Sequence, residues 1–461
     1  MGRGREDRSV GATYGSVFRP FLYNEAMSTI RNIVKKLVPV TLFHKIEPIG
    51  HLGEAVLMNI RYGFPAKKLR VIGVTGTNGK TTTSFMIHRM LHEAGYKVAL
   101  TTTVANGMGD NIIPQSEHIT TAQAGVLQRR LRDFARAGAE WVVVETSSHA
   151  LAQHRVWGLP YEIAVMTNIT HEHLDYHGTF ERYVEAKRQL FKIANRNGLR
   201  FGVVNAQDPS ADKFVKSVAN STTYGIGEGE LSASKVKLES DHSTYQATID
   251  KDTYDIRVNI PGEFNVSNSL AAAAVGRKLG LTKEQIEKGI AALESVQGRM
   301  NVIDEGQPFK VIVDFASTPD AFENFFKSIR PLTKGNLIAV FGSAGRRDES
   351  KRFTQGQIAG KYADIVIATE EDDRDIDGNE ILDEIARGAT KAGKKEDKNL
   401  YKILNREEAI GFAMTQAKTK NDVVVLLGKG HELTIERADG EYPWNEAEVA
   451  RTALQELKKS H

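Results

Sequence analysis

The sequence predicts an α/β protein with two mostly parallel sheets that follow one another along the chain. Short apolar runs alternate with helical runs from Leu69 onward, and the alternation resumes after a pause near Gly298. This order of strands and helices is typical of open, doubly wound sheets. One antiparallel hairpin is expected at the side of the first sheet. The expected segments are a short amino-terminal piece, a central domain and a carboxy-terminal Rossmann-like domain, at 1–68, 69–298 and 299–461.

The first series of elements begins with the apolar run Leu69–Ile72. Further strands are predicted at Lys97–Thr102, Trp141–Glu145, Ile163–Thr167 and Phe201–Asn205. Helical periodicity predicts helices at Ser84–Ala94, Ala122–Ala137, Thr179–Asn195, Asn268–Leu279 and Lys283–Leu293. Within residues 221–260, alternating polarity predicts a hairpin of Ser243–Ile249 and Thr253–Val258 with Lys251-Asp252 in its turn. Before this series, Ile30–Leu37 and Gly53–Ile60 are helical in pattern and prolines separate them.

The second series repeats the pattern after residue 298. Strands are predicted at Val311–Phe315, Leu337–Phe341, Ile365–Thr369, Tyr401–Leu404 and Val423–Leu427. Helices are predicted at Ala321–Ile329, Phe353–Tyr362, Ile381–Thr390, Arg406–Lys418 and Glu446–Lys458. The pattern resembles a dinucleotide-type sheet, although a fold alone fixes no chemistry.

Composition excludes several classes of function. The 461 residues contain no cysteine, so disulfides, thiolate metal sites and thiol nucleophiles are excluded. The net charge of +3 is too small to indicate nucleic-acid binding, and no apolar run is long enough for a membrane span. Residues 1–70 carry twelve Lys/Arg against five Asp/Glu, which fits a solvated basic arm or an anionic ligand. We expect a cytoplasmic monomer, a flexible extension over residues 1–26, and Met27 as a second possible start.

The stretch Gly73–Thr83, GVTGTNGKTTT, lies between a predicted strand and a predicted helix. Glycines in such a turn let backbone N–H groups approach phosphate, and the helix N-terminus favours negative charge. Lys80 supplies a cation and Thr81 a hydroxyl suited to Mg²⁺. Val74 occupies the first glycine position of the usual Walker spacing, so the motif is a variant. A ligand-free glycine turn is the alternative, and the Lys-Thr pair favours a P-loop-type phosphate site.

Titratable residues follow two further strands of the first series. Glu145 ends a buried strand, where it is placed either to hold the Mg²⁺ of a nucleotide or to cap a helix. The next strand end carries five titratable side chains within 171–177. Asp175 stands where a zinc-protease motif needs histidine, so that motif fails, and His173 is the favoured metal or phosphate ligand. Lys187 lies on an amphipathic helix, where solvent exposure is the default expectation.

Charged clusters also follow strands of the second series. Residues 346–352, RRDESKR, follow one strand and open a helix, which makes an anion site or a solvated loop. Residues 428–432, GKGHE, follow another strand, and the two clusters together indicate a binding crevice. Asp373-Arg-Asp-Ile-Asp-Gly378 with Glu384 fits the calcium-loop pattern, but a strand rather than a helix precedes it, so calcium is not expected.

These motifs together resemble the ATP-dependent Mur ligases of peptidoglycan synthesis. The similarity covers residues 69–455 and is carried by Gly73–Thr83, Glu145–His149, Thr167–Gly178, Ala186-Lys187, Glu263–Asn268, Val313–Pro319 and Gly428–Glu432. It implies an enzyme that phosphorylates the D-Glu γ-carboxylate of UDP-MurNAc-L-Ala-D-Glu with ATP and joins it to an amino acid. Among the family, the residues resemble the members that add the third peptide residue.

The resemblance also implies roles for individual residues. Catalytic roles fall to Lys80, Glu145, His173 and Lys187. The ATP phosphates would be held by Gly76, Thr77, Asn78, Gly79, Lys80, Thr81 and Thr82. Adenine would meet Asn268, while Arg299 and Asp314 would meet the phosphates and ribose. Mg²⁺ would be held by Thr81, Glu145, His173 and a carbamylated Lys187.

Two groups of residues would hold the substrates. The muramyl peptide would contact Thr120, Thr121, Ser147, Gln153 and Arg155. The amino acid would contact Arg347, Glu371, Asp372, Asp373, Arg374, Gly428 and Glu432. The family's Asp-Asn-Pro-Arg box is here Glu371–Arg374. Its retained Arg374, together with Arg347 and Glu432, favours meso-diaminopimelate over lysine. Glu371 and Asp372 would shift selection towards a cationic amino acid.

The segment before residue 69 is shorter than the family's uridine-binding domain, which leaves the carrier open. Ser317 also replaces a family histidine. The alternatives are a P-loop ATPase or phosphotransferase that needs only residues 69–300, a non-catalytic nucleotide binder, and a folate- or cyanophycin-type ligase. A phosphotransferase should tolerate Arg347→Ala, whereas a ligase should lose use of its amine.

Overall fold

We describe the protein from a computed structural model over residues 40–115, 119–239, 241–346 and 348–459. The strands are β1 Arg70–Thr75, β2 Val98–Thr101, β3 Ala105–Met108, β4 Asn111–Pro114, β5 Trp141–Glu145, β6 Tyr161–Met166, β7 Phe201–Asn205, β8 Asn220–Ile226, β9 Leu231–Leu238, β10 Ser243–Ile249, β11 Asp252–Val258, β12 Asn301–Ile303, β13 Lys310–Asp314, β14 Leu337–Phe341, β15 Ile365–Ala368, β16 Leu400–Lys402, β17 Val423–Leu427, β18 Thr434–Arg437 and β19 Gly440–Pro443.

The α-helices alternate with these strands through most of the described chain. They are α1 Val40–Tyr62, α2 Lys80–Glu93, α3 Ala124–Arg136, α4 Ser148–Ala152, α5 Leu174–His177, α6 Phe180–Ala194, α7 Ala211–Val215, α8 Glu263–Lys278, α9 Lys283–Ala291, α10 Pro319–Ile329, α11 Ser350–Tyr362, α12 Gly378–Lys391, α13 Arg406–Gln416 and α14 Glu446–Lys459. Short 3₁₀ turns form at Pro65–Lys68 and Arg330–Leu332. Over the described residues, none of the helices is both long enough and apolar enough to cross a membrane.

The first sheet has β1 near its middle. Its strand order is β11-β10-β9-β8-β7-β6-β1-β5-β2-β3-β4. Strands from β9 to β2 in this order pair in parallel, whereas β10–β11 and β3–β4 add antiparallel strands at the two edges. β1 therefore lies between β5 and β6, and the carboxyl ends of these three strands open at one edge of the sheet.

The second sheet is smaller and also mostly parallel. Its order is β12-β13-β17-β14-β15-β16, with β12 antiparallel to β13. β17 lies between β13 and β14, and β15 lies on the other side of β14. A separate two-stranded hairpin, β18–β19, follows β17.

Apolar helix faces cover both sides of each sheet. On one side of the first sheet, Ile72 and Val74 pack with Met86 and Met90 of α2, while the other side packs against α3 and α6. On the second sheet, α13 and α14 cover one face, and α10, α11 and α12 cover the other. Strands buried on both faces read as continuous apolar runs, which explains why Leu337–Phe341 and Val423–Leu427 were predictable to the residue.

The predicted fold class is confirmed, and the differences lie at elements with weak local signals. The hairpin turn is Asp250-Lys251, because Ile249 pairs with Asp252, so the expected turn Lys251-Asp252 was wrong by one residue. Helix α8 begins at Glu263, five residues before the predicted Asn268. Helix α1 runs from Val40 to Tyr62 without a break at residue 48, and the predicted Ile30–Leu37 lies outside the described residues.

Several strands were not predicted. They are β3, β4, β8, β9, β12, β18 and β19. Most of them are antiparallel or lie towards the edge of a sheet, where half-exposed strands lack the continuous apolar run of a central strand.

Helices α11 and α12 approach each other closely at glycines. A Cβ on Gly356 would lie 2.0 Å from the carbonyl oxygen of Ile385. Gly356→Ala is therefore expected to force the helices apart and lower stability by about 1–3 kcal/mol. The matched control is Gly411→Ala in α13, where a Cβ meets open space, so stability should rise by about 0.5–1 kcal/mol. Urea unfolding measures both, and a neutral Gly356→Ala would contradict the close packing.

Candidate active site

The glycine loop after β1 has the backbone shape that the sequence predicted. Gly76 and Gly79 have φ of 151° and 82°, in the region that favours glycine. A Cβ on Gly76 would lie 1.8 Å from Thr167 Oγ1, and one on Gly79 would lie 2.3 Å from Asn268 Oδ1. Both glycines are thus required by the close approach of neighbouring elements. Asn268, the predicted adenine contact on α8, lies directly against this loop.

The loop is held by the residues that follow β6. The Thr77 N–H donates to the Asn168 carbonyl at 2.7 Å, and the Asn78 N–H donates to Asn168 Oδ1 at 2.9 Å. Thr167 Oγ1 donates to the Asn78 carbonyl at 2.6 Å. Lys80 Nζ folds back to the Thr77 carbonyl at 2.7 Å, so its charge lies over the loop at the start of α2. This arrangement presents a fixed cation and a helix N-terminus to an anion.

Thr81, in the first turn of α2, is in direct contact with Glu145, the last residue of β5. Thr81 Oγ1 donates to both Glu145 oxygens, at 3.0 and 3.1 Å, and the Thr103 N–H donates to Glu145 Oε2 at 2.9 Å. Glu145 is buried and does not cap α4, because Ser147 performs that role. Thr82, in the first turn of α2, is also buried.

This donor set fits Mg²⁺, which prefers oxygen ligands and commonly keeps several waters when it binds with nucleotide phosphates. Among the described residues, no group of three or more His, Asp or Glu side chains is arranged to hold a metal alone. A hydroxyl and a carboxylate beside a phosphate loop are sufficient for a metal that shares its coordination with a nucleotide.

Lys187 is buried, so the default expectation of solvent exposure was wrong. Its Nζ donates to the Gly76 carbonyl at 2.5 Å and lies 4.6 Å from the centre of the Tyr183 ring. Burial, followed by the charge of Lys80, lowers the pKa of Lys187 well below its usual range. A sheltered neutral amine is the form of lysine that acts as a nucleophile.

His173 lies at the start of α5 with a φ of 56°. Its ring centre is 6.2 Å from that of Tyr183 and 4.6 Å from that of His149. The Tyr183 hydroxyl in turn bonds the Thr77 hydroxyl at 2.9 Å. Tyr183 therefore lies between His173, Lys187 and the phosphate loop.

Four of the five predicted muramyl-peptide contacts form one hydrogen-bonded group beside Glu145. Thr121 Oγ1 donates to the Glu145 carbonyl at 2.9 Å and accepts from the Ser147 N–H at 3.0 Å. Arg155 donates to the Thr121 carbonyl at 3.1 Å and to Gln153. The fifth predicted contact, Thr120, is half-buried and adjacent to Thr121.

Arg299 lies two residues before β12 and reaches the phosphate loop, and Asp314 interacts electrostatically with Arg299. Arg299 Nη2 lies 3.5 Å from Thr81 Oγ1, and the guanidinium lies 4.6 Å from the centre of the Phe315 ring. Asp314 accepts from the Met300 and Ala316 N–H groups, each at 2.8 Å. Burial lowers the pKa of Arg299 and raises that of Asp314, although each charge favours the ionised form of the other.

A second contact between the two halves was not predicted. Asn78 Nδ2 donates to Asp320 Oδ2 at 2.6 Å, and Thr170 Oγ1 lies 3.4 Å from the same oxygen. Asp320 is in the first turn of α10, so the nucleotide loop is bonded to an element of the second sheet. No sequence motif singled out Asp320, because an acidic residue in a first helical turn is common.

The predicted amino-acid contacts meet around a buried lysine. Lys429 Nζ donates to Asp372 Oδ1 at 2.7 Å and to Glu432 Oε2 at 2.6 Å, and its side chain is fully buried. These carboxylates outweigh the effect of burial and raise the pKa of Lys429. Lys429 was not predicted as a site residue, although it lies within the GKGHE stretch.

Glu371 and Arg374 border the same cluster. Glu371 Oε2 is buried, accepts no hydrogen bond and lies against Gly428, whose N–H donates to the Asp314 carbonyl at 3.2 Å. Arg374 Nε donates to Glu436 Oε2 at 2.8 Å, and the Glu436 N–H donates to Asp372 Oδ1 at 3.0 Å. Arg347 lies outside the described residues.

The calcium-like stretch has other partners for its carboxylates. Asp377 caps α12 through the Asn379 N–H, Asp375 pairs with Arg346, and Glu384 accepts from Arg352 at 3.1 Å. Asp373 Oδ1 accepts from the Glu371 N–H at 3.3 Å.

Asp373 gives a test of the electrostatics of this loop. Burial raises the pKa of Asp373 to about 6, well above the ordinary value of an aspartate, and nearby carboxylates contribute. Between about pH 4 and pH 6 the folded protein keeps a proton on Asp373 that the unfolded chain has lost. The free energy of unfolding therefore falls as pH rises through this range. Asp373→Asn, which stays neutral, should be more stable than the wild type at pH 7.5 by on the order of 2 kcal/mol.

Urea unfolding of both proteins at pH 7.5 and at pH 4 measures this difference, which should close at the lower pH. Asp375→Asn is the control, and it should lower stability at pH 7.5 because Arg346 lowers the pKa of Asp375. An equal gap at the two pH values would contradict the raised pKa of Asp373.

Comparison with known proteins agrees with this geometry. The Mur ligase middle domain family matches residues 74–276, and the Mur ligase glutamate ligase domain family matches residues 298–430. The chain is 40% identical over 424 residues to a UDP-N-acetylmuramyl-tripeptide synthetase of Roseiflexus sp. (strain RS-1), covering 89% of this chain and 83% of that protein.

Two further relatives agree. A UDP-N-acetylmuramoyl-L-alanyl-D-glutamate–2,6-diaminopimelate ligase of Geobacillus thermodenitrificans is 39% identical over 419 residues, covering 90% of this chain and 84% of that protein. A solved structure of a ligase with the same name aligns with a TM-score of 0.61 at 32% identity, covering 85% and 79% of the two chains. The chain therefore belongs to the Mur ligase family.

Proposed function

We propose that this chain is an ATP-dependent ligase of peptidoglycan precursor synthesis that joins a diamino acid to the D-Glu γ-carboxylate of UDP-MurNAc-L-Ala-D-Glu. The observation that carries the proposal is a pair of contacts that join the carboxy-terminal part of the chain to the phosphate loop. Arg299 of the second half reaches Thr81 of the phosphate loop at 3.5 Å, and Asp320 reaches Asn78 at 2.6 Å. A phosphotransferase confined to residues 69–300 has no use for the bond to Asp320.

The reaction proceeds in two steps. The substrate carboxylate takes the γ-phosphoryl group of ATP, which gives an acyl phosphate and ADP. The amine of the amino acid then attacks the acyl carbon, inorganic phosphate leaves, and the nitrogen loses a proton. Lys80 and the loop N–H groups stabilise charge on the transferring phosphoryl group. The group of Thr121, Ser147, Gln153 and Arg155 holds the muramyl peptide, with Thr120 beside it.

Mg²⁺ would be held by Thr81 and Glu145, with His173 and a carbamylated Lys187 as further ligands. When bound, the metal neutralises charge on the phosphates. Carbamylation joins the unprotonated Lys187 amine to CO₂ and releases one proton, so the amine becomes an anionic, carboxylate-like ligand. The burial of Lys187 beside Gly76 supports this assignment.

The incoming amino acid would lie among Arg347, Glu371, Asp372, Asp373, Arg374, Gly428 and Glu432. We favour meso-diaminopimelate because Arg374 is oriented by Glu436 and can read a distal carboxylate. The names of relatives such as the Geobacillus ligase support the same choice. Lysine is the competing substrate, since Glu371 and Asp372 are acidic. Asn268, Arg299 and Asp314 would contact the nucleoside and phosphates.

We further propose a division at residues 68 and 298 into an amino-terminal segment, a nucleotide domain and an amino-acid domain, in a cytoplasmic monomer. The last helix that follows the strands of the first sheet, α9, ends at Ala291, and the second sheet begins with β12 at Asn301. This gap supports the boundary at residue 298.

The reaction is tested by phosphate release from ATP with the UDP-muramyl dipeptide and a panel of amino acids, with each product identified by mass. Release is expected only when both substrates are present, and to be greatest with meso-diaminopimelate. Glu432→Gln should lower use of the amino acid by about tenfold or more, because it weakens the pairing with Lys429. Release that needs neither substrate would indicate a nucleotidase instead, and amide formation with lysine alone would overturn the choice of amino acid.

Carbamylation of Lys187 is tested by ¹³C NMR of the protein equilibrated with ¹³C-bicarbonate. One carbamate signal is expected in the wild type, and Lys187→Met should remove it. Lys429→Met is the matched control, since that lysine is equally buried but is paired with carboxylates and should stay charged. A signal that survives Lys187→Met would place the carbamate elsewhere.

A further inference from the structure

Arg406, the first residue of α13, is fully buried and bonds two strand ends. Its Nη2 donates to the Leu427 carbonyl at 2.8 Å, and its Nη1 donates to the Glu370 carbonyl at 3.0 Å. Leu427 is the last residue of β17, and Glu370 lies two residues after β15. These two strands lie on opposite sides of β14, so one guanidinium spans the end of the strand between them.

The two carbonyls directly precede the two loops of the proposed amino-acid pocket. Glu370 comes before 371–374, and Leu427 comes before 428–432. A fixed guanidinium that holds both carbonyls sets the distance between these loops at their base. A lysine ammonium is a point donor without the planar fork that two separated carbonyls require.

The guanidinium is itself held in one orientation. Its Nη2 and Nε donate to the two Glu446 oxygens at 2.6 and 3.0 Å, and both side chains are fully buried. Trp444 Nε1 donates to Glu446 Oε2 at 2.7 Å. A buried ion pair of this kind contributes little net stability compared with apolar packing, so its value lies in the geometry that it fixes.

The same network reaches the outer side of the pocket. The Arg406 N–H donates to Glu370 Oε1 at 3.2 Å, and Arg437 of β18 donates to both Glu370 oxygens at 2.7 and 2.8 Å. The neighbour of Arg437 is Glu436, which bonds Arg374 and Asp372. A connected set of bonds thus runs from Glu446 through Arg406 to the residues proposed to read the amino acid.

We propose that Arg406 is a positioning residue for the amino-acid pocket, which holds the Glu371–Arg374 and Gly428–Glu432 loops at the spacing that recognition of the amino acid requires. It acts through the backbone of Glu370 and Leu427 and does not contact the substrate. The proposal rests on the proposed function only for the identity of the ligand, because the spacing of the loops is a property of the protein alone.

The test compares Arg406→Lys with Arg330→Lys in the full chain. Arg330 also bonds one carboxylate, Asp364 at 2.7 Å, and two carbonyls, those of Thr333 and Gly335 at 2.7 and 3.1 Å. It lies at the opposite edge of the same sheet, where β14 and β15 begin. Arg330 is partly exposed whereas Arg406 is fully buried, so urea unfolding measures the stability of each variant, and exchange in the two loops is compared with exchange in the strands of the same sheet.

Hydrogen exchange is the first measurement, because the N–H groups of Arg374, Gly428 and Glu432 are bonded in the structure. Arg406→Lys should speed exchange at residues 371–374 and 428–432 by about tenfold or more, while Arg330→Lys leaves it unchanged. The second measurement is steady-state kinetics. The KM for the amino acid should rise by about tenfold to a hundredfold in Arg406→Lys, with the KM for ATP within about twofold of the wild type.

If Arg406→Lys does not fold, Glu446→Gln is used instead. The same changes in loop exchange and in the KM for the amino acid are then expected, at a smaller magnitude. Unchanged exchange in the two loops, an equal effect of Arg330→Lys, or faster exchange with an unchanged amino-acid KM would each overturn the proposal. A wild type that uses no amino acid would refute the proposed function, and the exchange measurement would then decide on the positioning role by itself.

Discussion

The structure depends on keeping charged side chains at the buried carboxyl ends of parallel strands. Such groups are costly to remove from water unless each has a partner or gives up its charge. The protein uses both solutions. Lys429 is fully buried and retains its charge between Asp372 and Glu432, whereas Lys187 has Lys80 nearby and a strongly lowered pKa. One residue type thus keeps its charge between carboxylates in one half and has a strongly lowered pKa in the other.

The central strands and the glycine loop could be predicted because their signals are local. A buried parallel strand is a continuous apolar run, and a turn that needs positive φ selects glycine, as at Gly76 and Gly79. The edge strands β3, β4, β18 and β19 lack such a run, and the turn at Asp250 was placed one residue late because its position depends on pairing.

Site residues divide in the same way. Thr81 and Glu145 could be placed together because strand ends meet at one edge of a sheet. Tyr183, Asp320, Lys429 and Arg406 could not be singled out, since their roles depend on contacts between elements that are far apart in the chain. The burial of Lys187 shows the limit most clearly, because an amphipathic pattern cannot tell which polar position faces a neighbouring loop rather than water.

The bond between Asn78 and Asp320 has a consequence for turnover. A bond of this type to a charged group contributes about 1.5–3 kcal/mol, much less than the free energy with which a nucleotide at micromolar Kd binds. A movement of the two halves apart to exchange reactants would break this bond and the longer contact of Arg299 with Thr81, and water would solvate the freed groups. The Asn78–Asp320 bond thus fixes the phosphate loop relative to α10, at a free-energy cost of opening well below that of nucleotide release.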